Sequence, residues 1–398
     1  VPHVSLWKPK EQTLLNTLKM PSNVFKFHHG RRYLRDPTLN YPLPVDLTEL
    51  HRQSLRTLLL TRVFGAPFCS PAFDDAPPTK VLELACGTAL WSSACHDYFK
   101  GQGYENIAFT GLDIAPLAPD LREQGVDWRF VQHDLRISPL PFEDEEFDFL
   151  FVKDTVFCAG GFGVQTNPLG VLLRYLKPGG VIEVWESDLL FRCLLPFPHV
   201  APGTTGEDVE QAEETATYVT TSGTAFAKPQ NPFLLDYNSW VEKALDKLKL
   251  PAAPCAVMGF AFSSEPEVYT EVGSRRIAIP FGDVRWEGED APAEPENPTS
   301  PTSDKSVSKK PSRRFSKARE MPLARNPLTP DQAALRRTAL NTVIGLIESL
   351  EPVLMKESAK KQDEWDRWWD SMTANLLLEN GTINGECLEV GAWWAKKR

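Results

Sequence analysis

The sequence predicts an α/β fold in which an open, mostly parallel sheet carries helices on both faces. Two observations point there. Between residues 80 and 190, short apolar runs bounded by turn residues alternate with helix-compatible stretches. Acidic residues also stand at the ends of three successive runs, the place where such a sheet gathers its ligands.

The elements follow in order. Residues 80–84 form a short apolar strand, 89–99 a helix and 107–113 a second strand. Residues 128–133 alternate apolar and polar and make a third strand, 147–152 a fourth. Lys177-Pro178-Gly179-Gly180 is a turn that introduces a fifth strand over 181–185. Residues 268–280 have strand character in two pieces, and the sixth strand lies near 276–279. Thr329 reads as an N-cap, Pro330 as the first helical position and Gln332 as the reciprocal capping partner. Leu335, Ala339, Val343, Ile347 and Leu350 then recur at helical spacing. A second helix spans 358–379, Asn380-Gly381 ends it, and 386–395 is a closing strand.

Composition bounds the function. Of 398 residues, 42% are hydrophobic and 10% aromatic, enough to build a sizeable core and to exclude a wholly disordered chain. There are 43 basic against 53 acidic residues, a net charge of −10, so neutralising nucleic-acid phosphates is not the main task. The seven cysteines are odd in number and include no Cys-x-x-Cys pair. A disulfide framework and a zinc ribbon are disfavoured, and an intracellular location, cytoplasmic or nuclear, is expected. No run of about 18 apolar residues predicts a membrane span. The first 30 residues have no apolar signal core.

Two stretches depart from the pattern. Residues 287–330 are dense in Pro, Ser and charge and poor in large apolar residues, so they are expected to be a disordered insertion. It reads either as a solvated linker or as a nuclear-import or phosphorylation-regulated segment, with Ser312 and Ser316 beside basic residues. Residues 196–232 carry turn signals, with a short helix possible over 207–217.

Residues 81–91, VLELACGTALW, carry the most chemistry: an apolar strand enters a tight turn of small residues and a helix begins. That geometry offers backbone N–H groups and a helix N-terminus to a ligand. Glu83 can accept hydrogen bonds from a ligand's amino or hydroxyl groups, and Gly87 permits close backbone approach. Ala85 and Ala89 stand where a fully glycine-rich loop would have Gly. The second strand ends in Asp113, followed by Ile114, and an acid there can clamp both hydroxyls of a ribose. The third ends in Asp134, able to take an adenine amine, with Leu135 and Ile114 as apolar walls. The loop lacks the Lys-Ser/Thr of a P-loop and the full Gly-x-Gly-x-x-Gly of a dinucleotide site. Acids around the pocket suit a ligand with ammonium and ribose groups but no phosphate, a description that S-adenosylmethionine meets.

Residues 80–186 resemble the class I S-adenosylmethionine-dependent methyltransferases through VLELACGTALW, TGLDIAP, VQHDL, FDFLFVKD and YLKPGGVIEVWE, in that order. Upstream, residues 27–53 resemble the entry segment of fungal LaeA-like and UMTA-type members: a Gly-Arg-Arg-Tyr motif, then Pro-x-Asp before an acidic, Arg-containing helix. The resemblance implies a Rossmann-like, seven-stranded sheet whose last two strands are antiparallel. It also implies S-adenosyl-L-methionine as cofactor and a small-molecule (secondary metabolite) or protein acceptor. The alternative is a LaeA-like regulator that keeps the fold and acts through protein partners.

Carried onto matching positions, Glu83 holds the methionine or ribose side of the cofactor. Ala85, Cys86, Gly87 and Thr88 line the loop, Asp113 binds ribose, and Asp134 and Leu135 bind adenine. Asp154 approaches the methionine moiety, and Tyr33 and Tyr41 lid the pocket. The expected organisation is an entry and lid segment (1–60), a cofactor core (61–195), substrate-side additions with the sixth strand (196–286), the insertion (287–330), and C-terminal helices with the closing strand (331–398). Residues 157–163 form either a substrate loop or a turn. Glu186 and Asp188 either orient a nucleophile or sit in a solvated loop. His28-His29 is polar entry-segment structure, not a metal pair, and His133 a site wall or a satisfied strand end. Trp365, Trp368, Trp369, Trp393 and Trp394 form core, interface or a substrate-facing aromatic cage. No catalytic residue stands out, and transfer from an activated sulfonium needs orientation more than a strong base.

Overall fold

The computed structural model describes residues 24–74, 76–158, 168–196, 198, 204–288, 327–378 and 381–398. In chain order the elements are β1 (Phe25–His28), β2 (Arg31–Leu34), α1 (Leu47–Phe64), β3 (Lys80–Leu84), α2 (Leu90–Gly101), β4 (Ala108–Asp113), β5 (Asp127–Gln132) and β6 (Phe147–Lys153). Next come α3 (Pro168–Leu172), β7 (Leu176–Ser187), β8 (Arg192–Leu194), α4 (Gly206–Glu214), β9 (Tyr218–Thr220) and β10 (Phe226–Ala227). The chain continues with α5 (Pro232–Leu248), α6 (Pro254–Ser263), β11 (Tyr269–Pro280), α7 (Pro330–Ser349), α8 (Glu351–Ser358), α9 (Gln362–Leu377) and β12 (Glu386–Lys397).

The central sheet runs β5-β4-β3-β6-β7-β12-β11. The first four junctions are parallel, and β12 lies antiparallel between β7 and β11. This is the expected core of seven strands with its antiparallel closing pair. Three further short strands enlarge the sheet to ten: β8 pairs with β12 and β10, and β9 with β11. Two of these, β9 and β10, together with α4, occupy part of 196–232, which turn residues alone present as a loop.

Strand alternation sorts the core onto two faces. Val81, Phe149, Phe151 and Trp185 face the helices α1, α2, α5 and α7. Leu82, Leu84, Leu150, Val152, Ile182 and Val184 face Met258 and Phe262 of α6. Each such side chain, fully buried, contributes about 1.5–3 kcal/mol. Trp91 of α2 stacks flat on Phe151 at 3.7 Å, and its Nε1 donates to Pro67 O at 2.6 Å, which fixes the helix over the strand that leads to the site. Gly111 in β4 leaves room for Trp128 of β5; a Cβ there would stand 2.2 Å from the indole.

Helix α7 begins as its sequence predicts: Gln332 N donates to Thr329 Oγ1 at 3.3 Å and Thr329 N to Gln332 Oε1 at 2.9 Å. The helix read over 358–379 is α9, shorter at both ends, and α8 precedes it as a separate element. Glu287, close to the last described residue before residues 289–326, pairs with the fully buried Arg336 of α7 at 2.6 Å. Arg336 also donates to Ala216 O and Gly282 O, so one side chain fastens both ends of the intervening stretch. Residues 289–326, most of the expected insertion with its basic and serine residues, lie outside the described residues, as does most of 157–163. No single described helix is long and apolar enough to cross a membrane.

Candidate functional site

A cavity of about 140 Å³ opens at the carboxyl ends of β3, β4, β5, β6 and β7. One water needs only about 10–15 Å³ on that measure, so the cavity admits a ligand of many atoms. Of the sequence-predicted site residues, Glu83, Ala85, Cys86, Gly87, Thr88, Asp113, Ile114, Asp134, Leu135 and Asp154 all line it, and so does Tyr41. Tyr33 does not. It sits buried on β2, outside the wall, because alternation along that strand turns Leu34 inward in its place.

The loop after β3 keeps a glycine-loop backbone although alanines occupy two of its positions. Ala85, Gly87 and Ala89 all have positive φ, at 52°, 52° and 54°. Such a conformation favours Gly and strains residues with a Cβ. The Ala89 methyl is fully buried in the core against α2, so it does not crowd the cavity. Only the Ala85 methyl reaches the wall.

The strand-end acids meet different neighbours. Asp113 accepts from Gly87 N at 2.8 Å and Ala115 N at 2.9 Å, so it shapes the loop while facing the cavity. Burial raises its pKa against those two donors. Glu83 points toward α2: its Oε2 accepts from Ser92 Oγ at 2.6 Å and Ser92 N at 3.2 Å. Burial pushes it up to about 7, with Ser92 opposing. Asp134 is held by Arg136, which reaches on to Asp36 and Thr38 O of the entry segment. The Arg136 guanidinium lowers the Asp134 pKa. The residue expected to meet an adenine thus also ties the entry segment to the sheet.

Asp154 follows β6 in a left-handed conformation, φ 53°. Arg56 of α1 donates to it from Nε and Nη2, and Lys153 Nζ donates at 2.9 Å. Burial alone would raise Asp154, but Arg56 and Lys153 outweigh it and hold the carboxyl well below the usual range. Arg56 also donates to Ser187 Oγ at 2.7 Å. Beside them Glu186 of β7 is 1% exposed and lines the cavity. Its Oε1 accepts from Thr155 N at 2.8 Å and Thr155 Oγ1 at 3.0 Å. Burial, with Asp154 adding, pushes it up to about 8. Glu186 and Asp188 are therefore strand-end core residues, not a solvated loop: Asp188 is buried and accepts from Cys255 N and Arg192.

The far wall comes from the entry segment, α1 and α7. Arg31 pairs with Asp46, the N-cap of α1, at 2.5 Å, so the Gly-Arg-Arg-Tyr and Pro-x-Asp motifs meet in space. Glu49, fully buried, accepts from Arg52, Gln53 and Ser349, joining α1 to α7. Leu39, Leu43, Val343, Leu346 and Leu388 supply the apolar surface. Sequence reasoning missed Arg52, Gln53 and Arg56, although their spacing of one, three and four marks a single face of α1. The walls from α7 carry no local signal, because only the long-range packing of α7 on α1 brings them here.

Other candidates fall away from the cavity. Trp365 and Trp368 of α9 pack on Trp240 of α5, with Trp368 Nε1 donating to Asp236, and none of the three lines the wall. Trp393 is core on the other face. His28 and His29 form the tip of the β1–β2 hairpin, and His133 closes a turn onto Ile137 O.

Residues 81–180 match the methyltransferase domain family, a quarter of the chain. The chain is 30% identical over 123 residues to the demethylmenaquinone methyltransferases of Bacillus cereus (strain ATCC 10987 / NRS 248) and Bacillus anthracis (strain A0248). That alignment covers 29% of this chain, and the chain spans about half the length of these relatives, 47%. Among solved structures, the YcgJ protein of Bacillus subtilis is 14% identical, with a TM-score of 0.35 over 87% of this chain and 99% of that one. The plantazolicin methyltransferase BpumL, in complex with SAH, is 10% identical, with a TM-score of 0.34 over 88% of each chain. Likenesses this distant say nothing about the acceptor. The matched segment, seated in the sheet described above, is a methyltransferase domain. Its cofactor is S-adenosyl-L-methionine.

Proposed function

We propose that the protein binds S-adenosyl-L-methionine in this cavity and methylates a small, largely apolar molecule. The observation that carries the reading is the division of one cavity between two kinds of wall. Strand-end carboxylates and loop N–H groups form one side; apolar side chains of the entry segment and α7 enclose the other. The donor and acceptor set fits the cofactor: Asp113 for ribose hydroxyls, Asp134 with Ile114 and Leu135 for the adenine, and Asp154 and the loop of residues 85–88 for the methionine part. The buried Ala89 methyl removes one obstacle to that fit. Bound there, the cofactor supplies an activated methyl group. The chain's own contribution is to hold the acceptor in line and exclude water.

A protein acceptor is less well served, since residues 34–50 and α7 bring mainly apolar side chains to their side of the cavity. The contact between Arg31 and Asp46 supports placing the chain with LaeA-like and UMTA-type methyltransferases, because it gives both entry motifs one structural job. A cavity that joins the cofactor-side acids to an apolar acceptor-side wall favours catalysis over a purely regulatory role through protein partners. The test is thermal unfolding with S-adenosylhomocysteine. At about 100 times Kd, binding adds about 2.7 kcal/mol and raises Tm. ATP and NAD at the same concentration are expected to give no shift. A response to NAD, or none to S-adenosylhomocysteine, contradicts the reading.

A further inference from the structure

We propose that Glu186 is the catalytic residue on the acceptor side, taking the proton from a phenolic or enolic hydroxyl as that oxygen is methylated. The inference rests on the proposed methyl transfer and deepens it by naming an acceptor class.

The carboxyl is built into the wall and only half satisfied. Thr155 uses Oε1 twice, while Oε2 has no hydrogen-bond partner among the described residues. That oxygen is open to the cavity, so a ligand O–H can take the place of solvent against it. The neighbouring charges do not complete it. Arg56 and Lys153 are committed to Asp154, and Arg52 to Glu49. The thiols of Cys158, in the wall, and of Cys255, on α6 behind the strand, are the other titratable neighbours; Cys255 Sγ is turned to the Glu186 carbonyl. Leu189, Leu346 and Leu388 add apolar surface. The chamber therefore suits a neutral acceptor carrying one O–H group toward Oε2.

Oxygen is favoured over nitrogen by charge. An aliphatic amine beside this carboxyl would be held as an ammonium, whose lone pair is blocked, and a neutral aniline attacks with a lone pair it already has and gains nothing from a base. A hydroxyl gains its nucleophilic pair when its proton leaves. A phenol of pKa about 10 lies about two units above a base raised to about 8, so the transfer costs about 2.7 kcal/mol and is completed as the O–CH3 bond forms. The step balances: the O–H bond breaks, its proton goes to Glu186 Oε2, and the oxygen's electron pair forms the O–CH3 bond. The pair of the broken S–CH3 bond returns to sulfur. The carboxyl proton then passes to solvent.

The test uses 4-propylphenol, 4-propylaniline and 4-propylanisole, titrated into the full chain saturated with S-adenosylhomocysteine at pH 8.5. The wild type is expected to bind the phenol at least 10-fold more tightly than the anisole. In Glu186→Leu that preference is expected to fall within 3-fold, with S-adenosylhomocysteine binding unchanged. With S-adenosylmethionine, Glu186→Gln is expected to methylate the phenol at least 100-fold more slowly in kcat, with KM within 3-fold. Equal binding of phenol and anisole, preferred methylation of the aniline, or full kcat in Glu186→Gln overturns the inference. A wild type that binds S-adenosylhomocysteine but not the phenol also overturns it and leaves the cofactor reading standing. A wild type that does not bind S-adenosylhomocysteine removes that reading itself.

Discussion

Arg56 on α1 grips Asp154 at the tip of β6 through three hydrogen bonds, of 2.8, 2.9 and 3.0 Å. The two residues are 98 positions apart, and their contact decides how the cavity is charged. It neutralises the Asp154 carboxylate, helps hold that residue in its left-handed backbone, and leaves Glu186 without an ion pair of its own among the described residues.

Removing the guanidinium tests this contact. Arg56→Ala leaves Asp154 with Lys153 alone and strips Ser187 Oγ of its donor. Breaking a buried pair by deleting one partner costs about 3 kcal/mol. Urea unfolding is expected to show a loss of that size, whereas Arg62→Ala, at the exposed pair with Glu214, changes stability by less than about 1 kcal/mol. Equal small effects at both sites would contradict the reading.

The loop alanines make a prediction with the opposite sign. A left-handed non-glycine residue costs roughly 1–2 kcal/mol. Ala85→Gly relieves that strain and is expected to raise stability by about 1 kcal/mol, less the small gain in unfolded-chain entropy, whereas Ala89→Gly also gives up a fully buried methyl worth about 0.8 kcal/mol and is expected to be near neutral. Ala89→Val adds bulk to a fully buried site and is expected to lower it. Thermal melts of the three variants decide the matter; destabilisation by Ala85→Gly would show that its methyl is needed.

The raised acids predict how stability depends on pH. Glu83 and Glu186 stand near 7 and 8 in the folded chain, against 4.5 when unfolded. Between those values the folded state holds more protons than the unfolded state, so stability falls as pH rises. The contribution is complete below about 4.5 and is lost through about 7 to 8. Tm is expected to be lower at pH 8.5 than at pH 5.5, and Glu186→Gln to flatten that slope. A slope that the substitution leaves unchanged would place the proton elsewhere.

Packing across β4 and β5 gives a sharper structural test. Gly111→Ala sets a Cβ against Trp128 and close to Cys86 Sγ, both rigidly buried. Overpacking of this kind costs about 1–3 kcal/mol. Denaturant unfolding at unchanged or higher stability would mean that β4 shifts freely.

Much of the fold was legible because its signals are local. Alternation and apolar runs placed β3 to β7, and Thr329, Pro330 and Gln332 placed the start of α7 within a residue. The acids at the strand ends were legible as a cavity wall because parallel strands share one edge for ligands. What escaped was set by distance in sequence. Glu83 reads as a ligand contact and does line the cavity, but its bond to Ser92 shows only once α2 is packed. Tyr33 reads as a lid until the register of β2 turns it away. Arg56, Glu186 and Val343 become one wall only after α1 and α7 close over the sheet. The short strands β9 and β10 were hidden by turn residues, since three- and two-residue strands carry almost no periodicity.

The most direct test of the cofactor site is calorimetric binding of S-adenosylmethionine to the full chain and to Asp113→Ala. A charged hydrogen bond lost in a buried site costs about 1.5–3 kcal/mol, roughly a 10- to 100-fold loss of affinity. Saturable one-site binding by the wild type is predicted, with a loss of that size in a variant that remains folded. Absence of binding by the folded wild type, or equal affinity in Asp113→Ala, would contradict it.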